Sequence, residues 1–148
     1  SNNPRKLLSE VASKFYQKKP KNLLAVTGTN GKSSIADFYF QILNLNNKKV
    51  ASIGTLGVKT DLKKSEIKNT TMDPISLNYY LQKIKRLKID NVMLEASSHG
   101  LKQNRLNGLN FKTGIFTNLS RDHLDYHKSY QDYLNSKLIL FKNLLKKR

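Results

Sequence analysis

Hydrophobic positions along the chain fall into two alternating rhythms, one of helical spacing and one of short apolar runs. Asn3-Pro4 sets a capping side chain before a proline, and Leu7, Leu8, Val11, Ala12 and Phe15 follow at helical intervals. Residues 23–26, Leu-Leu-Ala-Val, form a compact apolar run ending in Thr27-Gly28, which has the length and flanks of a buried strand. A helix over 32–45 and a strand over 49–53, closed by Gly54, come next. The polar stretch 59–69 reads as loop or hairpin. Residues 76–87 place Leu77, Tyr80, Leu81 and Ile84 on one helical face, and 91–95 and 113–117 read as third and fourth strands. A helix over 130–145 completes the pattern. Strands alternating with helices predict an α/β fold, a mostly parallel sheet with flanking helices. Ligands of such sheets bind beyond the carboxyl ends of the strands.

The strand ends carry the chemistry. After the first strand comes Gly28-Thr29-Asn30-Gly31-Lys32-Ser33-Ser34, a short phosphate loop with two fewer residues between its glycines than the commonest pattern. Glycines let backbone N–H groups turn towards a phosphate, and the helix that follows presents its positive end. Lys32 would neutralise the β- and γ-phosphates, and the Ser33 hydroxyl would ligand Mg²⁺. This is a phosphate-loop NTPase arrangement, and it predicts ATP or GTP binding. The third strand ends in Glu95, placed to hold the magnesium directly or through water; the plainer reading is a solvated residue just past a strand. Ser97, Gln103 and Arg105 follow closely, a hydroxyl, an amide and a guanidinium suited to a polar, anionic substrate.

Composition narrows the classes. Across 148 residues there is no cysteine, which excludes a disulfide scaffold and any thiolate-bound metal. No apolar run approaches the roughly 18 residues of a membrane span, so a soluble, cytoplasmic protein is expected. Ser1-Asn2-Asn3 reads as a tag scar, with the domain beginning at Pro4, and Lys146-Lys147-Arg148 closes no visible element. Net charge is +17, with 27 basic against 10 acidic residues. The basic residues are scattered and mostly lysine, with no aromatic interleaving of the kind that stacks bases. A solvated lysine-rich surface is therefore expected, and no nucleic acid.

Two features of the last third leave alternatives open. His123 and His127, four residues apart, could share a helical face and bind zinc. No third ligand is apparent, however, and a magnesium-ligating or catalytic role for one of them suits the phosphate site better. On the closing helix Tyr130, Tyr133, Leu134, Leu138, Leu140, Phe141, Leu144 and Leu145 fall on one arc of roughly 160° at 100° per residue. Lys137 projects near its middle, while Lys142, Lys146 and Lys147 lie outside it. Either Lys137 snorkels to the edge, or its amine is desolvated and nucleophilic towards a small electrophile such as CO₂.

Taken in order, these motifs resemble the Mur ligase family. The phosphate loop from Thr27 to Ser33 is similar to that family's, and Glu95-Ala96-Ser97-Ser98-His99-Gly100-Leu101 resembles its E type. The run from Thr117 through Asp122-His123-Leu124-Asp125-Tyr126-His127, Gly54-Thr55-Leu56-Gly57-Val58 and Thr70-Thr71-Met72-Asp73-Pro74 do so too. The resemblance implies the N-terminal part (residues 4–148) of a central ATP-binding domain. The implied enzyme is an ATP-dependent amide ligase of peptidoglycan precursor synthesis that works through an acyl phosphate. It would add meso-diaminopimelate or L-lysine to UDP-N-acetylmuramoyl-L-alanyl-D-glutamate, with ATP and Mg²⁺. Lys32, His123 and Lys137 make up the implied catalytic set. Ser33, Glu95 and His123 belong to magnesium binding, joined by Lys137 if carbamylated. Thr70, Thr71, Ser97, Gln103 and Arg105 match positions that hold the UDP-muramoyl dipeptide.

Departures qualify the match. Met72 stands where the family commonly has proline, which is expected to loosen the substrate loop, and Ser33 stands where threonine is usual. The flanking domains that hold uridine, adenine and the incoming amino acid are missing from 148 residues, so no ligase turnover is expected of this chain alone. The competing readings are a folylpolyglutamate synthase-like or other Mur-type ligase, a basic nucleotide- or nucleic-acid-binding module, and a non-catalytic nucleotide-binding scaffold.

Overall fold

The computed structural model describes residues 2–61, 64–67 and 69–146; Ser1, Lys147 and Arg148 of the terminal readings lie outside them. In chain order the elements are α1 (Pro4–Phe15), β1 (Asn22–Thr27), α2 (Lys32–Leu45), β2 (Val50–Gly54), β3 (Gly57–Thr60) and β4 (Lys64–Ser65). Then come α3 (Pro74–Arg86), β5 (Asn91–Glu95), α4 (Ser98–Lys102), β6 (Thr113–Phe116) and α5 (Tyr130–Ile139), which runs into a π-helical turn, Leu140–Leu144. The strands form one sheet in the order β4-β3-β2-β5-β1-β6. β2, β5, β1 and β6 are mutually parallel, and β3 and β4 add an antiparallel edge.

The two-residue period of the strands sorts the core. Leu23 and Ala25 of β1, with Val92 and Leu94 of β5, pack against Leu77, Leu81 and Ile84 of α3 and against Leu101, Leu140 and Leu144. Their neighbours Leu24, Val26 and Met93 point the other way and meet Ile35, Ala36 and Tyr39 of α2. Burial of each leucine here contributes about 1.5–3 kcal/mol relative to exposure. The same alternation has a functional consequence. Glu95 lies two residues beyond Met93, so its side chain emerges on the face that α2 covers.

Four expectations need correction. Among the described residues the expected four strands are six: β2 and β3 form a hairpin that turns at Thr55-Leu56, and β3 pairs antiparallel with β4 inside the 59–69 stretch expected as loop or hairpin, of which Leu62, Lys63 and Lys68 lie outside the described residues. β3 is Gly-Val-Lys-Thr, too short and mixed to stand out by periodicity. The apolar stripe of α1 is not its buried face. Leu7, Leu8, Val11 and Phe15 are exposed, while Ser9 and Ala12 are buried. Hydrogen bonds dock the helix here: Ser9 Oγ donates to the Asn104 carbonyl (2.6 Å) and Ser13 Oγ to that of Gly108 (2.7 Å). The closing helix is α-helical only to Ile139, and the wider π turn then breaks the 100° spacing assumed for the arc. Finally, Met72 does not loosen its loop, because its side chain is buried in the main core cluster.

Candidate functional site

The carboxyl ends of β1, β2, β5 and β6 converge, and the loops leaving them enclose a cavity of ≈ 450 Å³. Its floor is the phosphate loop. Gly28 sits at φ 146, and a Cβ there would overlap Thr117 Oγ1, so only glycine fits beneath the end of β6. The loop after β6 braces it: Asn118 accepts from Thr29 N (3.0 Å) through its carbonyl and from Asn30 N (3.0 Å) through Oδ1. α2 begins after Gly31 with no side-chain cap, leaving its first N–H groups for an anion.

Thr29, Asn30, Gly31, Lys32, Ser33 and Ser34 all line the cavity. Lys32 Nζ donates to the carbonyls of Gly28 (3.0 Å) and Thr29 (2.7 Å). Burial lowers its pKa, against the opposing pull of Glu95 and Asp122. Ser33 Oγ donates to Glu95 Oε2 at 2.9 Å, the contact set up by Glu95 facing α2. Glu95 is buried and also accepts from Thr55 N (2.9 Å) and Thr55 Oγ1 (3.1 Å). It therefore stands one hydrogen bond behind the cavity wall, not at the solvated strand end that the plainer reading gave it. Gly54 makes room for it, since a Cβ there would collide with the carboxylate.

Lys137 does not snorkel. It is 1% exposed, and its Nζ donates to the Gly28 carbonyl at 2.7 Å and lies 4.2 Å from the centre of the Tyr133 ring. Burial, reinforced by the charge of Lys32, lowers its pKa to about 7. An amine half-neutral near neutrality and lining the cavity is equipped to attack CO₂. Tyr133, one turn earlier, ties the same helix to the phosphate loop through Thr29 Oγ1 (3.1 Å).

The opposite wall comes from the loop before α3 and from α4. Thr70, Thr71, Ser97 and Arg105 line the cavity there. The Thr71 hydroxyl is already engaged, accepting from Ser97 N (2.9 Å) and lying 2.9 Å from the Glu95 carbonyl. Arg105 Nη1 donates to the Thr71 carbonyl at 2.6 Å. Gln103 is not in this wall. Its Oε1 accepts from Arg105 Nε (3.0 Å) and Nη2 (2.7 Å), so it aims the guanidinium from behind.

The two histidines separate. His123 lines the cavity, with its backbone held at φ 53, a left-handed conformation uncommon outside glycine. His127 is buried, with Ser98 and Ser136 hydroxyls at its ring nitrogens. Among the described residues no group of three His, Cys, Asp or Glu side chains could hold a metal ion, so the zinc reading gains nothing. A hard cation suits the site better. The Ser33 hydroxyl and the Glu95 carboxylate are adjacent oxygen donors at the start of α2, and a carbamate on Lys137 would add another.

Thr55, Ser98 and His99, which the sequence offers only as members of longer motifs, also line the cavity, as does Asn69, which belongs to none of them. Thr55 follows a strand end and Asn69 precedes Thr70, so the strand-end rule and adjacency held the signal. Tyr133 was legible only as an apolar arc member, not as a phosphate-loop contact.

The model of the Mur ligase middle domain matches residues 26–148. The UDP-N-acetylmuramoyl-L-alanyl-D-glutamate–2,6-diaminopimelate ligase of Brucella melitensis biotype 1 is 43% identical over 144 residues, covering 97% of this chain and 30% of that protein. The ligase of the same name from Rickettsia bellii is 44% identical over 147 residues, covering 97% of this chain and 31% of that protein. Thus the chain spans under a third of the length of these relatives. Among solved structures, a UDP-N-acetylmuramoyl-L-alanyl-D-glutamate–2,6-diaminopimelate ligase superposes with TM-score 0.82 at 35% identity, over 96% of this chain and 30% of that one. Escherichia coli FolC, solved with DHPP and ADP, superposes with TM-score 0.71 at 16% identity over 93% of this chain and 39% of its own, a likeness of fold alone.

Proposed function

Because the chain belongs to the Mur ligase family through its middle domain, we propose that it is the ATP- and acceptor-binding part of an amide ligase of peptidoglycan precursor synthesis. The acceptor is UDP-N-acetylmuramoyl-L-alanyl-D-glutamate, and the added residue is a diamino acid. Diaminopimelate is favoured over L-lysine by the names of the relatives described above. The observation that carries the proposal is the convergence of Lys32, Ser33, His123 and Lys137 on one cavity, with Glu95 hydrogen-bonded to Ser33. These residues span more than a hundred positions of sequence.

A carboxylate is a poor electrophile, and ATP converts it into a mixed anhydride. One oxygen of the acceptor's carboxylate bonds to the γ-phosphorus as ADP leaves, giving an acyl phosphate. The incoming amine then attacks the carbonyl carbon, phosphate departs with that oxygen, and the amine gives up a proton. Two anions must approach each other, so positive charge and oriented N–H groups dominate the floor. Lys32 releases its carbonyl partners to hold the β- and γ-phosphates. Arg105, aimed by Gln103, holds the anionic acceptor together with Thr70 and Ser97, while Thr71 fixes Ser97 in place. Ser33, Glu95, His123 and a carbamylated Lys137 would hold Mg²⁺, which supplies charge neutralisation between triphosphate and carboxylate. The Lys137 amine gains its carbamate by adding to CO₂ with loss of a proton, and its remaining N–H keeps the bond to Gly28.

The flanking domains of the longer polypeptide to which we assign this chain would hold uridine, adenine and the diamino acid, in the cytoplasm where those substrates are made. The experiment is product analysis by mass spectrometry with that polypeptide, ATP, Mg²⁺, the UDP-muramoyl dipeptide and diaminopimelate. The tripeptide product should form and should vanish in Lys32→Ala. Product from a folate substrate instead would overturn the assignment.

A further inference from the structure

His127 is not needed by the chemistry above, yet it is buried among site residues and both of its ring nitrogens have partners. Ser136 Oγ donates to the Asp132 carbonyl at 2.7 Å, which uses its only proton. Towards His127 Nδ1, 3.5 Å away, it can therefore only accept. The Asp132 carboxylate, 3.7 Å from the same nitrogen and paired with Lys102, also favours a proton there. This places the proton on Nδ1 and leaves Nε2 to accept the Ser98 Oγ–H at 3.0 Å. Burial, and next the charge of Lys102, lowers the ring's pKa and so favours its neutral form.

The two serines belong to different elements of the site: Ser98 lines the cavity, and Ser136 is buried beside Lys137, which lines it. Ser98 opens α4 next to Ser97, whose hydroxyl caps that helix. Ser136 precedes Lys137 on α5, and the His127 ring packs 5.0 Å from that of Tyr133, the tie to the phosphate loop. We propose that His127 is a positioning residue for the ligation: by accepting the Ser98 hydroxyl while anchored on α5, it sets the acceptor-binding wall at a fixed distance from Lys137. This rests on the ligase reading of the site, but the hydrogen-bond arrangement does not.

The test therefore has two arms. In the ligase-length polypeptide, His127→Leu and Ser98→Ala should each lower kcat/KM for the UDP-muramoyl dipeptide about tenfold, in the range of losses seen when a supporting shell is broken. Their combination should be no worse than the poorer single change, since both cut one link. His127→Gln, whose carbonyl can accept from Ser98, should recover most of the loss, and KM for ATP should stay within about twofold. Additive effects, equal losses towards both substrates, or unchanged kcat/KM in His127→Leu would overturn the proposal. In the second arm, imidazole ¹⁵N spectra of the chain itself should show His127 protonated on Nδ1, with the Nε2 resonance moving in Ser98→Ala. A proton on Nε2 would overturn it even if His127→Leu failed to fold. Absence of any ligation by the unmodified polypeptide would sink the ligase reading, and the spectra would still decide the His127–Ser98 link.

Discussion

The Lys137 amine lies 2.7 Å from the carbonyl oxygen of Gly28, so the closing helix is hydrogen-bonded to the first glycine of the phosphate loop across 109 positions of sequence. This bond explains why a lysine tolerates a place 1% exposed to solvent. It has one strong acceptor, an aromatic ring beneath it, and a lowered pKa that leaves much of it uncharged at neutrality.

The linkage has a definite sign. The pKa of Lys137 is about 7 in the fold against an ordinary value of 10.5, so between those values the unfolded chain binds more protons. Its burial thus costs most stability below pH 7 and progressively less as pH rises towards 10.5. Lys137→Met should raise the melting temperature at pH 6 more than at pH 9, while abolishing ligation in the longer polypeptide. An equal shift at both pH values would contradict the assignment of that pKa.

Carbamylation follows the same titration. With ¹³C-labelled bicarbonate, a carbamate resonance should appear and grow as pH rises through about 7, and Lys137→Arg should remove it. A signal that persists in Lys137→Arg would belong to another amine.

Gly54→Ala tests the placement of Glu95. The added methyl would push into the carboxylate, with a destabilisation of about 1–3 kcal/mol from overpacking. The displaced Glu95 should also weaken Mg²⁺-dependent ATP binding, measured by calorimetry. Unchanged binding would mean that Glu95 plays no part in the metal site.

Much of this site was legible because residue spacing determines it. The alternation in Val92-Met93-Leu94-Glu95 already puts Glu95 on the face opposite Leu94, and Gly28 and Gly31 ahead of Lys32 announce a phosphate loop after a strand. The buried lysine was visible as an intruder on an apolar arc, but periodicity alone could not distinguish burial from snorkelling. What decided it was a carbonyl from β1's end, a long-range contact with no local signal. The face of α1 was misjudged for a related reason: two serine hydroxyls found carbonyl partners in the 104–108 loop, and those bonds overrode the apolar stripe. Gln103 looked like a substrate contact because of its neighbours, yet its Oε1 accepts from Arg105 and its Nε2 donates to the Tyr126 hydroxyl.

Asp73 offers a check on the acceptor wall's support. It caps α3, accepting from Ile75 N and Ser76 N at 3.0 Å each. Burial would raise its pKa, but the N–H bonds of Ser76 and Ile75 outweigh it and hold the carboxyl below its ordinary value of 3.8. Its contribution is therefore present above pH 3.8 and lost as pH falls through the lower folded value. Asp73→Ala should cost about 1 kcal/mol at pH 7 in denaturant titrations, and much less near pH 2.

The 148-residue chain by itself should form no amide product from ATP, the muramoyl dipeptide and diaminopimelate, since it spans only 30% of the Brucella melitensis relative. Sustained ATP-dependent product by mass spectrometry would show that this segment is sufficient.

The central claim is that ATP activates the acceptor's carboxylate at the cavity where Lys32 and Lys137 meet. Its most direct test uses UDP-N-acetylmuramoyl-L-alanyl-D-glutamate labelled with ¹⁸O in the reacting carboxylate, turned over by the ligase-length polypeptide with ATP and diaminopimelate. One labelled oxygen should appear in inorganic phosphate for each amide bond formed, and both should cease in Lys32→Ala. Amide formation that leaves the phosphate unlabelled would contradict the account.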